Sequence, residues 1–408
     1  MKILILTQYY LPETGAPQNR LSSLAGYLQK AGSQVEVLTA MPNYPKYETY
    51  PGYKGKWFCK ETIEGIPVYH SWVFVRKKKA MLYRLLNYFS FTISSFYSAC
   101  VRLKKYDVII CESPPLFLGI TAVLLQKKWK CKLVFNVSDL WPESAEKMGI
   151  IQNKWIINRS YKLANWIYRH ANLVSGQTKG ILDAIRQMQP GKELFWFPNG
   201  VDLHKFNNNT SYTKTTGHEF CLLYAGIIGH AQGLEVILHA AEKLKDYTGI
   251  HFYIIGDGPV KDNLLALQQQ LGIANTSFIP NQPAESVRQW LHECDAYIVP
   301  LRKLDLFKGA IPSKLFEPLA LAKPILLGVD GEARTLFIEE GKGGLYFEPE
   351  NPEELSDAIL QLYHNRPLAQ QLGESGQAYV TQYFTRENIA LQFHERIKEL
   401  FSTDHKTA

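Results

Sequence analysis

Short runs of β-branched and apolar residues recur along this chain with helical stretches between them, and no other feature limits its possible folds as strongly. In the N-terminal half the runs are 2–7, 34–39, 107–111, 132–137, 172–176 and 194–197. Continuous apolar strands alternating with helices are the pattern of a parallel sheet covered on both faces. Between the first two runs Pro17 suits a helix's first turn, Leu21, Leu24, Ala25 and Leu28 share one face, and Gly32 ends it. The pattern breaks over 198–220, where Pro198-Asn199-Gly200-Val201-Asp202, Asn207-Asn208-Asn209 and a Thr/Ser/Lys/Gly stretch read as an interdomain linker. It restarts with runs at 220–225, 250–255, 275–279, 295–299, 324–327 and 344–347. The expected architecture is α/β, with two Rossmann-like, doubly wound parallel-sheet domains at 1–200 and 201–385 facing across a cleft. Helices near 352–363 and 386–401 are left free to pack on either domain.

A chain of 408 residues, 46% hydrophobic and 20% charged, is long and apolar enough for two such cores, which excludes collagen-like, disordered and disulfide-scaffold classes. Its six cysteines are scattered, without a C-x-x-C pair or metal-ligand spacing to the 11 histidines, so a reduced cytoplasmic setting is expected. The opening Met1 to Thr7 reads as a buried strand rather than a signal peptide, because its short apolar run meets a polar, proline-bearing loop. The net charge of +7 is local: residues 76–105 hold eight Lys/Arg and no Asp or Glu, leaving the remainder at 7 − 8 = −1.

Ligands of open parallel sheets bind beyond the carboxyl ends of the strands, so the loops there carry the candidate chemistry. After the first strand, Pro12-Glu13-Thr14-Gly15-Ala16-Pro17 lets backbone approach a ligand beside a helix N-terminus, or is a plain strand-to-helix turn. It is not G-x-G-x-x-G, which argues against a nicotinamide-dependent dehydrogenase. Ser138-Asp139-Leu140-Trp141-Pro142-Glu143 offers carboxylates and an indole of the kind sugar binding uses, unless Asp139 only caps a helix and Trp141 only packs. In the second domain the loop holding Gly226, Gly229, Gln232 and Gly233 can cradle a diphosphate through its N–H groups, and Gly256-Asp257-Gly258-Pro259 is expected to position it. Pro312 and Ser313 open a helix whose first turn, with the Lys314 ammonium, can converge on a phosphate; Glu317, one turn on, is within reach of a ribose diol. The competing reading is a favourable first-turn acid beside a solvated lysine.

Residues 76–105 set Arg76, Lys77, Lys78, Lys79 and Arg84 against an aromatic helix too interrupted to span a bilayer. An interfacial helix at anionic lipid and a core helix with a basic end are both open. The loop 41–60, with Asn43 and Tyr44 among six aromatics and four lysines, adds to the same domain. No nucleic-acid fold signature accompanies the charge, so a membrane-bound acceptor is expected and nucleic acid is not.

The ordered set of Gly15-Ala16-Pro17, Asn43-Tyr44-Pro45, Asp139-Leu140-Trp141-Pro142-Glu143, Pro198-Asn199-Gly200-Val201-Asp202, Gly256-Asp257-Gly258-Pro259 and Pro312-Ser313-Lys314-Leu315-Phe316-Glu317 resembles family-4 glycosyltransferases of the GT-B fold over nearly the whole chain. Within them it is most similar to the bacterial O-antigen and capsule branch of N-acetyl-L-fucosamine transferase type. The resemblance implies a nucleotide-sugar donor on the C-terminal domain, an acceptor on the N-terminal one, retention of anomeric configuration, no metal or other cofactor, and a last helix (386–408 with its tail) crossing back to the N-terminal domain. It implies Glu317 on the donor ribose, Lys314 and the glycine loop on the diphosphate, Ile279 and Pro280 on the base, and Gly15 and Ala16 beside the donor phosphate. Three positions depart from the family pattern: Gly309 stands where the first Glu of a Glu-x7-Glu pair is common, Ile227 and Gln232 replace an Arg and a Lys, and Ser138 replaces a His. The Ile227 and Gln232 departures leave the diphosphate more dependent on Lys314, Arg302 and Lys308.

The expected activity is transfer of a sugar, an N-acetylated deoxysugar, from a UDP-sugar to a polyprenyl-diphosphate-linked saccharide in bacterial surface polysaccharide synthesis. Such an enzyme would sit peripherally on the inner face of the cytoplasmic membrane. Asp139 is the first candidate for handling the acceptor hydroxyl, Glu13 the second, and Lys314 the group that stabilises the departing diphosphate. A nucleotide-sugar epimerase or hydrolase and a non-catalytic nucleotide-sugar-binding member of a membrane assembly are the alternatives.

Overall fold

The computed structural model describes residues 1–77, 81–147, 149, 151–205 and 220–402. Its contacts divide into two units, residues 1–199 with 386–408, and residues 200–385. Lys78 and Lys79, and most of the linker expected at 198–220, lie outside the described residues.

The first unit runs β1 (Lys2–Leu6), α1 (Ala16–Lys30), β2 (Gln34–Ala40), β3 (Phe58–Ile63), β4 (Ile66–Ser71), α2 (Met81–Arg102), β5 (Val108–Ser113), α3 (Leu118–Trp129), β6 (Lys132–Val137), α4 (Glu143–Lys147), α5 (Lys154–His170), β7 (Leu173–Gly176), α6 (Lys179–Met188) and β8 (Leu194–Trp196). The sheet order is β3-β4-β2-β1-β5-β6-β7-β8, parallel except for the β3–β4 hairpin. That hairpin was not expected from the sequence. Its polar β3 strand, Phe-Cys-Lys-Glu-Thr-Ile, lies at the sheet edge, where one face stays wet and no continuous apolar run forms.

Alternate residues of the inner strands point to opposite faces, as strand geometry requires. Ile3, Ile5, Val108 and Ile110 join the core under α1, whereas Leu4, Leu6, Ile109 and Cys111 join the core that also takes Phe91, Ala99, Leu118 and Ala122. The final helix, Arg386–Ser402, belongs to this first unit and inserts Ile389, Phe393 and Ile397 beside Leu21 and Leu24 of α1. The Phe393 ring stacks on Phe197 at 4.5 Å, and burial of one such side chain stabilises by about 1.5–3 kcal/mol.

The second unit carries β9 (Phe220–Ala225), α7 (Glu235–Lys243), β10 (Ile250–Ile255), α8 (Lys261–Leu271), β11 (Thr276–Ile279), α9 (Ala284–Glu293), β12 (Ala296–Pro300), α10 (Phe316–Ala320), β13 (Ile325–Gly328), α11 (Glu332–Arg334), β14 (Gly344–Tyr346), α12 (Pro352–His364) and α13 (Arg366–Tyr383). Its sheet, all parallel, has the order β11-β10-β9-β12-β13-β14. The connection reverses direction between β9 and β12, so the loops after these two strands border the crevice where such sheets bind ligands. In the first unit the equivalent place lies between β1 and β5.

Candidate active site

In the second unit the loop after β9 folds over the side chain of Lys314. The ammonium donates to the Tyr224 hydroxyl at 2.7 Å and sits 4.0 Å from the centre of that ring. The same hydroxyl donates to the Ile227 carbonyl at 2.6 Å, so Tyr224 ties lysine and loop together. Burial pushes the Tyr224 phenol up, which keeps its proton on at neutral pH. Gly226 has φ 148°, and a Cβ there would lie 2.8 Å from the Lys314 Nζ, so only glycine lets the lysine pass under the loop. Among the described residues Lys314 has no carboxylate partner, and burial brings its pKa down to about 7.

The neighbouring turns support this loop as expected. A Cβ at Gly256 would meet the Gly226 carbonyl at 1.9 Å, and Ile228 donates its N–H to the Asp257 carbonyl at 3.0 Å. Gly256 in turn donates to the Ile279 carbonyl at 3.0 Å, so the Ile279-Pro280 turn borders the same rim. Gln232 lies over Gly229, where an added Cβ would be 2.8 Å from its Oε1. Glu317 is exposed; its backbone carbonyl accepts from the Leu321 N–H at 3.2 Å, and its carboxylate makes no hydrogen bond among the described residues, which leaves it available to a diol.

Two expectations in this unit are corrected. Ser313 to Leu315 is a 3-10 turn leading into the five-residue α10, so the segment offers one lysine and a short turn rather than a long helix's dipole. Arg302 is not free for a phosphate: its guanidinium donates to the His230 carbonyl at 2.7 Å, Glu350 at 3.0 Å and Glu235 at 2.8 Å. It holds the loop, and Gly233 packs against its Cγ, where a Cβ would come within 3.2 Å. Lys261, missed in the sequence, brings a second ammonium to this rim, 3.5 Å from the Gly256 carbonyl. Its place at the start of α8, straight after the Gly-Asp-Gly-Pro turn, was the signal that could have found it.

In the first unit Glu13 is buried and fully engaged, which corrects its candidacy for touching substrate. One oxygen accepts the backbone N–H groups of Asn43 at 2.6 Å and Tyr44 at 2.8 Å, the other the Gln18 amide at 3.3 Å. Burial lifts its pKa to about 7 despite those donors. Glu13 therefore fixes loop 41–57 to the β1–α1 turn. Asn43, expected at an acceptor, is buried too, with its side-chain amide on the Met41 carbonyl at 2.9 Å. Tyr44 meets Tyr9 edge-on at 5.7 Å. Gly15 leaves the first turn of α1 without a side-chain cap, Ala16 begins the helix, and a Cβ at Gly15 would collide with Gln18 at 2.5 Å.

Asp139, Trp141 and Arg84 come together as lining of one cavity of about 140 Å³, with Tyr88 and Ser144. The Asp139 carboxylate accepts from the Ser144 hydroxyl at 3.0 Å; lost hydration lifts its pKa above the ordinary carboxylate value. Trp141 packs edge-on against Phe117 at 5.5 Å. Arg76 lies over the Tyr83 ring at 4.8 Å, and Lys77 pairs with Glu48 at 3.0 Å. Sequence reasoning also missed what holds the strand leading to Asp139. Arg20 and Glu112, both buried, pair at 2.5 Å; Ser138 donates to Glu112 and accepts from Arg20 at 2.9 Å, and Asn136 donates to Glu112 at 2.8 Å. Glu112, a charged residue directly after the run 107–111, was the available clue.

The helix α2 presents both faces expected of the alternatives: Phe91, Ser95 and Ala99 are buried, while Leu82, Ile93, Tyr97 and Val101 form an exposed apolar stripe. Among the described residues no helix is long and apolar enough to cross a membrane, and no group of three or more His, Cys, Asp or Glu is placed to hold a metal ion.

Two family models divide the chain between them, a glycosyl transferase 4-like domain over residues 15–200 and glycosyl transferases group 1 over residues 209–379. The chain is a glycosyltransferase of the GT-B type. It is 26% identical over 414 residues, covering 98% of this chain and 100% of the relative, to WcaI of Escherichia coli, a protein named for glycosyl transfer in colanic acid biosynthesis. Among solved structures it superposes on HepE of Anabaena in complex with UDP-glucose at a TM-score of 0.70 and 16% identity, covering 99% of this glycosyltransferase and 100% of that chain. WaaG, a glycosyltransferase involved in lipopolysaccharide biosynthesis, matches at 0.68 and 14%, over 97% and 99% of the two chains.

Proposed function

We propose that this glycosyltransferase moves a sugar from a UDP-sugar to a polyprenyl-diphosphate-linked saccharide during bacterial surface polysaccharide synthesis, with retention of anomeric configuration. The observation that carries the donor reading is Lys314, an ammonium without a carboxylate partner among the described residues, pinned by Tyr224 beneath a loop that must be glycine at 226. An anion at that loop would restore its charge, and Lys261 would add to the field. The exposed Glu317 would accept from the ribose. When the bond from the sugar's anomeric carbon to the diphosphate oxygen breaks, UDP leaves with the electron pair, and Lys314 stabilises that charge. The acceptor oxygen forms the new bond and its proton passes to Asp139, whose raised pKa makes it the better base.

Full-length similarity to WcaI supports a polysaccharide role, and the HepE complex supports a uridine nucleotide. The apolar stripe of α2, with Arg102 and Lys104 following, supports peripheral docking on an anionic bilayer. The sugar remains the N-acetylated deoxysugar expected above. Acceptor-dependent UDP release, screened over UDP-sugars with lipid-diphosphate-linked saccharides, tests the reading. Release that needs no acceptor would favour a hydrolase, and none with any pair would contradict transfer.

A further inference from the structure

The cavity that holds Asp139 does not end at Trp141. Leu85, Phe117 and Trp141 also line a second cavity of about 560 Å³, bounded farther out by Phe89, Trp155 and Ile156. That volume lies within the range of small-molecule sites, about 300–1,000 Å³. The two chambers differ in chemistry. The first brings Arg84 and Asp139 together, and Arg84 has no carboxylate partner among the described residues; its guanidinium donates to the Tyr88 hydroxyl at 3.5 Å. The second is walled mainly by apolar and aromatic side chains, with Gln152, Asn153 and Ser160 also in its lining and the Arg159 guanidinium over the Trp155 ring at 5.1 Å.

We infer that the second chamber holds the first isoprene units of the lipid-linked acceptor, with the lipid diphosphate at Arg84 and the receiving hydroxyl at Asp139. The inference rests on the acceptor class proposed above and adds where each part binds. Apolar chain, anionic linker and sugar hydroxyl are the parts of such a molecule, and here an apolar chamber adjoins one that holds both a guanidinium without a carboxylate partner and a carboxylate. A bilayer surface alone needs no concavity and no carboxylate beside it. Because Arg84 and Asp139 line the same cavity of about 140 Å³, little room separates the diphosphate from the carboxylate. The acceptor is therefore a short lipid-linked saccharide, receiving its new sugar within a residue or two of the diphosphate, rather than the far end of a long polymer.

Tryptophan fluorescence reads the chamber directly, since Trp141 and Trp155 line it. The full chain is titrated with geranylgeranyl diphosphate below its micelle concentration, with inorganic diphosphate and with geranylgeraniol. Saturable quenching by the first is expected, with the other two at least tenfold weaker. Ile156→Asp, at a surface-reaching position, should weaken geranylgeranyl diphosphate at least tenfold and Arg84→Gln similarly, both with UDP binding unchanged. Equal binding of inorganic diphosphate would remove the chain from the chamber. Equal binding of geranylgeraniol would leave only a lipid-facing surface, and an unaffected Ile156→Asp would place the chain elsewhere; each result overturns the inference. UDP titration of the parent separates the failures: no UDP binding undermines the transferase reading itself, whereas intact UDP binding with any of these results overturns the acceptor placement alone.

Discussion

Lys314 and Glu13 are both displaced to a pKa of about 7 by burial, in opposite directions, and the consequences differ in sign. Lys314 in the empty protein is charged only below about pH 7, and a bound diphosphate favours the charged form. UDP binding is therefore predicted to be tightest below pH 7, to weaken by up to about tenfold per pH unit above it, and to take up protons at pH 8. Calorimetry in buffers of different ionisation enthalpy checks this, and Lys314→Met should abolish both the slope and the uptake. Glu13 holds a proton in the native state between the unfolded carboxyl's value and about 7, so folding is favoured at the acid end of that window and loses stability as pH rises through it. Glu13→Gln should flatten that loss, gaining about 2–3 kcal/mol relative to the parent between pH 5 and pH 8 in urea melts. Legibility at this scale followed the kind of evidence each residue leaves. Lys314, Glu317 and Asp139 stood out in the sequence as candidates because the loops after apolar strands are few and their polar residues fewer. Burial and pairing were not visible, which is why Arg302, Glu13 and Asn43 looked available and are engaged, and why Tyr224 looked like plain strand.

Elements show the same division. The central strands were legible because buried parallel strands are continuous apolar runs, and β1, β2 and β9 fall within a residue of their expected bounds. The β3–β4 hairpin was not, since an edge strand with a wet face has neither a continuous run nor a strict alternation. Nor was the Arg20–Glu112 pair, which joins α1 to the ends of β5 and β6 over 92 residues of sequence. Removing one partner strands the other charge in a dry site. Arg20→Met is predicted to destabilise the first unit by about 3–5 kcal/mol, and the double change with Glu112→Leu to recover most of it. Chemical denaturation of the two single variants and the pair measures the coupling.

For the whole molecule, the chain leaves its first unit near Asn199 and returns at Arg386, so the first core is completed by the last helix. Deleting residues 386–402 strips Ile389, Phe393 and Ile397 from beside Leu21 and Leu24. The expected outcome is an aggregating or protease-sensitive first unit, while a 200–385 fragment keeps its own helical and strand circular dichroism; limited proteolysis of both checks this. The division into two parallel-sheet units was legible from the restart of the strand pattern after the linker. What each unit does depends on the strands where the order reverses, a property of topology that sequence gives only through resemblance. The function proposed for the whole molecule turns on the β9–β12 crevice, with Lys314 and Glu317, as a uridine-diphosphate donor site. Calorimetric titration of UDP against GDP and ADP, into the parent and Lys314→Ala, decides the matter. Saturable binding selective for UDP is expected, weakened about 10- to 100-fold in the variant as for loss of a charged hydrogen bond of about 1.5–3 kcal/mol. Binding that Lys314→Ala leaves unchanged, or no response to any nucleoside diphosphate, would contradict that assignment.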